Sequence, residues 1–172
     1  MVKKNYLIDI IIPNYNKGNY IKRAISSVLN QTFKNWKLFI IDDNSSDHSY
    51  KILNSYKKFK NVKIIKLKKN KGPGNARNLG ISISKSKYIA FLDSDDFWTK
   101  NKLKNQITFM EKFNLNFTYT DYISFFENKK KLKTNLIDKI DYKTFLINSS
   151  INTSTLVLKR QILNKLRFKN TE

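Results

Sequence analysis

The chain has 172 residues and is 40% hydrophobic, enough to build the core of one domain and too apolar for a disordered protein. It has no cysteine and a single histidine, His48, which excludes a disulfide scaffold, a cysteine-ligated zinc site and cysteine nucleophiles. The 34 basic residues exceed the 13 acidic ones, and the net charge is +21. Such a charge suits nucleic acid, an anionic membrane surface or a phosphate-bearing ligand.

The positive charge comes mostly from lysine, and only four basic residues are arginines. A surface selected for phosphate geometry favours arginine, so compositional drift explains the charge as readily as a polyanionic partner does. The apolar run 7–12 is interrupted by Asp9 and falls far short of the roughly 18 residues that a membrane span needs. The N-terminal residues also lack a signal-peptide pattern, and we expect a cytoplasmic protein.

Strand and helix patterns alternate through the first two thirds of the chain. The predicted strands cover residues 7–13, 36–43, 62–67 and 87–93, and the predicted helices cover residues 18–31, 50–59, 75–84 and 100–113. This alternation predicts an α/β fold in which a mostly parallel, Rossmann-like sheet is flanked by helices on both faces.

The pattern changes after Leu115. The sequence predicts a strand over residues 117–126, a charged turn over 128–133, a short helix over 142–147 and a strand over 153–159. We find no internal repeat and no low-complexity linker, so residues 1–172 read as a single domain. Because the chain stops inside a new segment, we expect it to be a fragment.

Six of the acidic residues form two clusters, each at the carboxyl end of a predicted buried strand. They are Asp42, Asp43 and Asp47 in the first cluster, and Asp93, Asp95 and Asp96 in the second. The carboxyl edge of an open parallel sheet is where ligands bind. Crowded carboxylates repel one another unless a cation or hydrogen-bond donors neutralise them, so the clusters indicate a site.

The second cluster suits a divalent cation. One of its carboxylates, ending a rigid strand, is placed to hold Mg²⁺ or Mn²⁺ against a diphosphate. The alternative is an acidic strand end that caps the following turn. In the first cluster, Ser46 or Asp47 fits a helix N-cap, whereas Asp42 or Asp43 is free to accept a hydrogen bond from a pyrimidine imide N–H or to form a structural turn.

A glycine- and proline-containing loop over residues 70–74 precedes the third predicted helix. It is not a dinucleotide fingerprint, because Arg77 stands at the third glycine position and the loop follows the third strand. Arg77 is placed to reach a base or a phosphate, with a plain surface role as the alternative. Trp98 follows the second acidic cluster closely, and two roles are open for its side chain: packing in the core, or forming a wall of the donor or acceptor sugar site.

Four motifs taken together resemble a known family. PNYN at 13–16, IIDDNSSD at 40–47, GNARN at 74–78 and FLDSDD at 91–96 closely resemble the bacterial family 2 glycosyltransferases, which have the GT-A fold. The resemblance is dense over residues 8–113 and returns in NTSTLVLKR at 152–160. It implies a nucleotide-sugar-binding half over residues 1–113 and the start of an acceptor-side half over 114–172.

The resemblance also implies roles for residues at these motifs. Pro13 and Tyr15 would line the nucleotide base, Asp43 would bind a uracil or thymine ring, and Arg77 would contact the base or stabilise its pocket.

The remaining implied roles fall on the second acidic cluster. Asp93 would contact the ribose or sugar, Asp95 would ligate Mg²⁺ or Mn²⁺ on the diphosphate, and Asp96 would help position the motif. The family's catalytic base is usually an aspartate in a Glu-Asp pair beyond the segment matching residues 153–159. We therefore name no base and expect it beyond Glu172.

The implied activity is inverting transfer of a sugar from a UDP- or dTDP-sugar to a saccharide or lipid-linked acceptor in cell-surface polysaccharide synthesis. The charge then favours peripheral contact with the anionic cytoplasmic face of the inner membrane. Two alternatives stay open: a nucleotide-sugar-binding fragment without transfer activity and a basic nucleic-acid-binding module. The lysines are spread along the chain and form no single stripe, so we expect no nucleic-acid partner.

Overall fold

The computed structural model describes residues 7–126, 129–133, 151–164 and 167–169. The strands are β1 (Ile8–Asn14), β2 (Trp36–Asp42), β3 (Val62–Lys66), β4 (Tyr88–Phe91), β5 (Phe117–Thr118), β6 (Tyr122–Phe126), β7 (Lys129–Lys133) and β8 (Val157–Lys159). Six of them form one sheet in the order β3-β2-β1-β4-β8-β5, and β6 and β7 form a separate hairpin. The first four strands of that order are parallel, and β8 runs antiparallel to β4 and β5. The predicted mostly parallel sheet is confirmed.

The strand order places a topological switch point beside β1. The chain builds β2 and β3 on one side of β1 and then crosses over to add β4 on the other side. In open α/β sheets the crevice at such a point, outside the carboxyl ends of the strands, is the usual ligand site. Asn14 ends β1, and Asp93 follows β4 by two residues.

Helices cover both faces of the sheet. They are α1 (Gly18–Leu29), α2 (Ser49–Asn54), α3 (Gly72–Ile83) and α4 (Lys102–Lys112). Alternate side chains of β1 point to opposite faces. Ile10 and Ile12 join a buried cluster with α1 and α4, whereas Ile11 joins a second cluster with α3.

Two local contacts explain the composition of β1 and α3. The buried carboxylate of Asp9 accepts hydrogen bonds from the amides of Lys85 and Ser86 and from the Ser86 hydroxyl, at 2.8 to 2.9 Å. Its burial is therefore compensated. Gly80 brings α3 close to β1, because a Cβ there would lie 2.5 Å from Cγ2 of Ile11.

Helices α2 and α3 differ from their predicted bounds. Helix α2 ends at Asn54, before the predicted end at residue 59, because the following amides bond to carbonyls three residues earlier and tighten into turns. Helix α3 begins at Gly72, so the predicted loop supplies its first turn. Proline is compatible with a helix start, and Pro73 occupies that place.

The segment after α4 departs further from prediction. The single strand expected over residues 117–126 is two strands in different sheets, since β5 pairs with β8 and β6 pairs with β7. The expected turn at 128–133 contains strand β7, which pairs with the aromatic strand β6. The lysine-rich sequence of β7 gave no strand pattern. Thr153–Thr155 forms a short 3-10 helix and only Val157–Lys159 is extended. The predicted helix over 142–147 lies outside the described residues.

Within the described part of the chain, no helix has the length and apolar character needed to cross a bilayer.

Candidate functional site

A cavity of about 330 Å³ opens at the switch point, and we call it cavity A. The ends of β1, β2 and β4 and the first turns of α3 form its walls. All six residues that the sequence selects for nucleotide and metal binding line it: Pro13, Tyr15, Asp43, Arg77, Asp93 and Asp95. The fold thus collects side chains from four separate motifs around one space.

The two neighbouring aspartates after β2 have different environments. Asp42 is fully buried, and its carboxylate accepts hydrogen bonds from Asn14 Nδ2 at 2.8 Å and Ser45 Oγ at 2.6 Å, which makes it structural. Asp43 lines cavity A and accepts from the amides of Lys71 and Gly72 at 2.7 to 3.1 Å. It therefore also holds the start of α3, where Gly72 adopts a φ of +83°. A ligand that binds Asp43 shares this carboxylate with the chain's own amides.

Asp47 joins the starts of two helices, but it is not the N-cap that one alternative predicts, because His48 occupies that position in α2. Its carboxylate accepts from the amide of Ser49 in α2 and from the amide of Gly18 in α1, both at 2.9 Å. Desolvation raises the pKa of this carboxyl, but the hydrogen bonds from Ser49 and Gly18 outweigh it and the net pKa is lowered. Asp47 is thus a structural member of the first cluster.

Arg77 and Asp93 form an ion pair across cavity A. Nη2 of Arg77 donates to Oδ1 of Asp93 at 2.5 Å, and both side chains are largely shielded from solvent. The Phe168 ring lies 5.3 Å from the guanidinium, and the backbone of Phe168 exchanges two hydrogen bonds of 2.9 Å with the Asn78 side chain. Residues 167–169 thereby support the arginine from outside the cavity.

Asp95 lies at the open side of cavity A and pairs with Lys17. Nζ of Lys17 donates to Oδ2 of Asp95 at 2.8 Å, and the Asp95 side chain is 44% exposed. The hydrogen bond from Lys17 to Asp95 is the main cause of a raised lysine pKa. Lys17 therefore stays cationic at neutral pH beside the carboxylate that the sequence assigns to a metal.

The donor set fits one kind of metal site. Mg²⁺ and Mn²⁺ prefer oxygen ligands and commonly take one or two carboxylates from protein, the rest coming from phosphate and water. Among the described residues no three histidine, cysteine, aspartate or glutamate side chains come together as a cage. Asp93 and Asp95 both line cavity A, and Asp95 is open to solvent. These residues suit a cation shared with a diphosphate.

Asp96 faces away from cavity A. Its Oδ2 accepts a hydrogen bond of 2.5 Å from the hydroxyl of Ser154, in the turn before β8. Desolvation is the largest cause that raises the pKa of this carboxyl; the charges of Asp93 and Asp95 add to it, while Ser154 and Arg23 act in the opposite direction. Asp96 is therefore a partly shielded carboxylate whose charge Ser154 helps to stabilise.

A second cavity, of about 430 Å³, lies on the other side of Asp95, and we call it cavity B. Trp98 lines it but belongs to the core, because the ring is 8% exposed and its Nε1 donates to the Ser154 carbonyl at 2.7 Å. Nζ of Lys102 lies 4.1 Å from the centre of the Trp98 ring. This amine is buried without a hydrogen-bond partner among the described residues, and burial lowers its pKa to about 7.

Sequence reasoning missed three residues that contact the predicted site: Lys17, Ser154 and Phe168. Lys17 lies in the loop after PNYN, so the position of that motif was a usable signal. Ser154 lies in the segment 152–160 that resembles the family, and this was a signal as well, although the residue itself was not selected. Phe168 reaches the site through tertiary contacts, and no local pattern marks it.

Comparison with families and curated proteins gives a consistent result. A model described as Glycosyl transferase family 2 matches residues 9–167. The chain is 40% identical over 165 residues to the UDP-Glc:alpha-D-GlcNAc-diphosphoundecaprenol beta-1,3-glucosyltransferase WfgD of Escherichia coli. This alignment covers 95% of the present chain and 64% of WfgD. The chain is 38% identical over 167 residues to WfaP of Escherichia coli, which carries the same activity name. That alignment covers 94% of the present chain and 64% of WfaP. The chain thus spans just under two thirds of the length of these relatives.

Solved structures share the fold. TarS of S. aureus, residues 1–349 in complex with UDP, matches with a TM-score of 0.77 at 22% identity over 91% of this chain and 47% of that one. The mannosyltransferase PcManGT of Pyrobaculum calidifontis, in complex with GDP-Man and Mn²⁺, matches with a TM-score of 0.71 at 12% identity. The match covers 95% of the present chain and 47% of PcManGT. The expected GT-A arrangement of sheet and helices is confirmed.

Proposed function

The chain belongs to glycosyl transferase family 2, and on that premise we propose that it carries the donor site of an inverting glycosyltransferase. The enzyme moves a sugar from a UDP- or dTDP-sugar to a saccharide or lipid-linked acceptor in cell-surface polysaccharide synthesis. The observation that carries the proposal is cavity A, where aromatic, acidic and basic residues of four motifs converge at the switch point. The names of WfgD and WfaP support a UDP-sugar donor and a diphosphate-linked lipid acceptor.

The nucleotide half of the donor lies between β1 and α3. Pro13 and the exposed ring of Tyr15 flank the base, since a flat aromatic at a cavity wall stacks on a planar ligand. Asp43 accepts the imide N–H of uracil or thymine. Arg77 stabilises this pocket while Asp93, oriented by its ion pair with Arg77, contacts the ribose or sugar.

Asp95 holds Mg²⁺ or Mn²⁺ against the diphosphate. When bound, the cation supplies Lewis-acid stabilisation of the leaving diphosphate. Lys17 then exchanges its hydrogen bond with Asp95 for one to a phosphate oxygen, because its ammonium is within reach of the same edge of cavity A. The positive charge of Lys17 thus stays beside the group on which negative charge develops.

The acceptor approaches from cavity B, which shares Asp95 with cavity A. Its hydroxyl attacks the anomeric carbon, the bond from that carbon to the diphosphate breaks on the opposite face, and the configuration inverts. A carboxylate base takes the hydroxyl proton, and we place that base beyond Glu172. Residues 1–113 then form the donor-binding half, and residues 114–172 begin the acceptor half.

The membrane contact involves an aromatic surface at the mouth of cavity B. Phe97 and Phe125 are 41% and 59% exposed, their ring centres lie 5.9 Å apart, and the Arg23 guanidinium lies 4.4 Å from the Phe97 ring. Strand β7, with the sequence KKKLK, pairs with β6 beside this surface. Exposed aromatics beside Arg23, in a chain of net charge +21, suit an anionic lipid surface. The acid-lined cavities do not suit a nucleic-acid backbone, so we propose no such partner.

Vesicle sedimentation tests the membrane contact. We expect Phe125→Ser to weaken binding to vesicles rich in phosphatidylglycerol, whereas Phe109→Ser, on the exposed face of α4, leaves it unchanged. Phosphatidylcholine vesicles should bind neither variant. Equal binding by the wild type and Phe125→Ser would contradict this part of the proposal.

Calorimetric titration with UDP tests the donor site. We expect binding that needs Mn²⁺ and is lost in Asp95→Ala, while Glu111→Ala, which removes an exposed carboxylate elsewhere, binds as the wild type does. Titrations with dTDP and GDP identify which nucleobase the site prefers. If none of the three nucleotides binds with Mn²⁺ present, the proposal is wrong.

A second candidate is donor binding without transfer. The chain covers 64% of WfgD, and we place the base outside it. A transfer assay with a nucleotide-sugar and a diphosphate-linked lipid acceptor separates the two. Sugar transfer by the isolated 172 residues would reject the second candidate, and UDP binding without transfer would support it.

A further inference from the structure

Ser154 joins two members of the acidic cluster through one hydroxyl. Its Oγ accepts the amide N–H of Asp93 at 3.0 Å and donates to Oδ2 of Asp96 at 2.5 Å. A serine hydroxyl has one donor and can accept as well, so both contacts form together. The hydroxyl therefore fixes the backbone at the first aspartate and the side chain of the last.

The position of Ser154 does not depend on these two contacts. Its carbonyl accepts from Trp98 Nε1 at 2.7 Å, and its amide donates to Asn152 Oδ1 at 2.8 Å. The carbonyl of the next residue, Thr155, accepts from Gln106 Nε2 at 3.1 Å. The turn is thus held to the core and to α4 by groups other than the hydroxyl, and removing the hydroxyl leaves its scaffold in place.

The hydroxyl holds the Asp96 carboxylate beside the turn before β8, on the side of cavity B. Ser154 is the one hydrogen-bond donor to the Asp96 carboxylate among the described side chains, and the Asp96 carboxylate lies near Asp93 and Asp95. Without that donor, a shielded carboxylate loses its compensation and turns toward the nearest cation or donor. A cation bound at Asp95 would attract the Asp96 carboxylate, and Asp96 would then enter the space beside Asp95 that the diphosphate occupies.

We propose that Ser154 is a positioning residue for the acidic cluster, which holds Asp96 on the side of cavity B and leaves Asp95 to face the diphosphate and its cation. The proposal rests on the proposed function, because Asp95 needs to face the diphosphate only if cavity A binds a nucleotide-sugar donor. It adds a contribution from the segment before β8, which is remote in sequence from the cluster.

The test compares Ser154→Ala with Ser154→Thr, which retains a hydroxyl, and with Ser82→Ala, which removes an exposed hydroxyl of α3. Calorimetry measures UDP affinity across a series of Mn²⁺ concentrations. Ser154→Ala should lose roughly tenfold in Mn²⁺-dependent affinity, Ser154→Thr should recover most of that loss, and Ser82→Ala should match the wild type. Equal affinities for Ser154→Ala and the wild type would overturn the proposal.

A second measurement does not require nucleotide binding. Mg²⁺ alone shifts the side-chain carboxyl ¹³C signals of the aspartates that it contacts, and in the wild type we expect a shift at Asp95 and none at Asp96. In Ser154→Ala the Asp96 carboxyl signal should shift as well, and the Asp93 amide should exchange with solvent faster. A wild type that binds Mg²⁺ at Asp95 but no UDP rejects the proposed function alone. The same carboxyl shifts in both proteins, or no shift at Asp95 in the wild type, rejects the role of Ser154.

Discussion

Arg77 and Asp93 form an ion pair that joins α3 to the end of β4, with Nη2 and Oδ1 2.5 Å apart. The pair spans the two sides of the switch point, so it fixes the width of cavity A. Phe168 packs against the guanidinium from behind, at 5.3 Å from ring centre to Cζ. The arginine therefore depends on both the first part of the chain and residues 167–169.

Arg77→Ala should weaken UDP binding roughly 10- to 100-fold, because it removes a charged hydrogen bond and leaves Asp93 unpaired beside the diphosphate site. Arg77→Lys should recover only part of the loss, since an ammonium cannot both pair with Asp93 and present a planar face to Phe168. Calorimetric titration measures both effects. Arg160→Ala, which removes an arginine at the opposite edge of the sheet, is the control. Unchanged affinity in Arg77→Ala would contradict the role.

Asp43→Asn should lower the free energy of unfolding by about 1–3 kcal/mol and also weaken UDP binding. The carboxylate accepts two backbone amides at the start of α3, and an amide side chain turns one donor toward them. Urea unfolding measures the first effect and calorimetry the second. Glu111→Gln changes a carboxylate outside cavity A and should leave UDP binding unchanged; the loss of its surface ion pair with Lys87 should cost at most about 1 kcal/mol of unfolding free energy. A variant that binds UDP normally would leave Asp43 with only its structural role.

The convergence of the acidic clusters was easier to predict from the sequence than the second half of the fold. Acids that follow apolar strands are local signals, and parallel strand order brings such strand ends to one edge, so the sequence indicated that Asp43 and Asp95 would lie close together. Pro13 was singled out only through the resemblance to the family. Ser154 was not selected, because its hydrogen bond to Asp96 spans 58 positions and depends on a strand added antiparallel to β4. Strand β7 was missed for a related reason, since its lysines carry no apolar alternation.

Gly80→Ala should destabilise the protein although alanine favours helices by about 1 kcal/mol over glycine. The added Cβ would lie 2.5 to 2.9 Å from three atoms of Ile11 in the core of the sheet, so α3 must shift. In an Ile11→Ala background, the same change should be neutral or stabilising, because those atoms are absent. Chemical unfolding of the four proteins in this cycle measures the coupling. Additive effects would show that the contact does not limit the packing of α3.

Lys102→Met should stabilise the protein, and more so at low pH. The Lys102 amine is fully buried against Trp98, and desolvation lowers its pKa from 10.5 to about 7. Between these two values the unfolded chain binds more protons than the folded one, so the contribution of Lys102 to stability rises with pH. Below pH 7 the lysine is charged in both states and the folded protein bears the full cost of burying the cation.

The measurement is the free energy of unfolding of the wild type and Lys102→Met at pH 6, 8 and 9.5. The advantage of the methionine variant should be largest at pH 6 and shrink steadily toward pH 9.5, because the wild-type amine is then neutral in the folded state. Lys104→Met removes an exposed lysine of the same helix and corrects for the fall in net charge. An advantage for Lys102→Met that is independent of pH would mean that the buried amine does not titrate in this range.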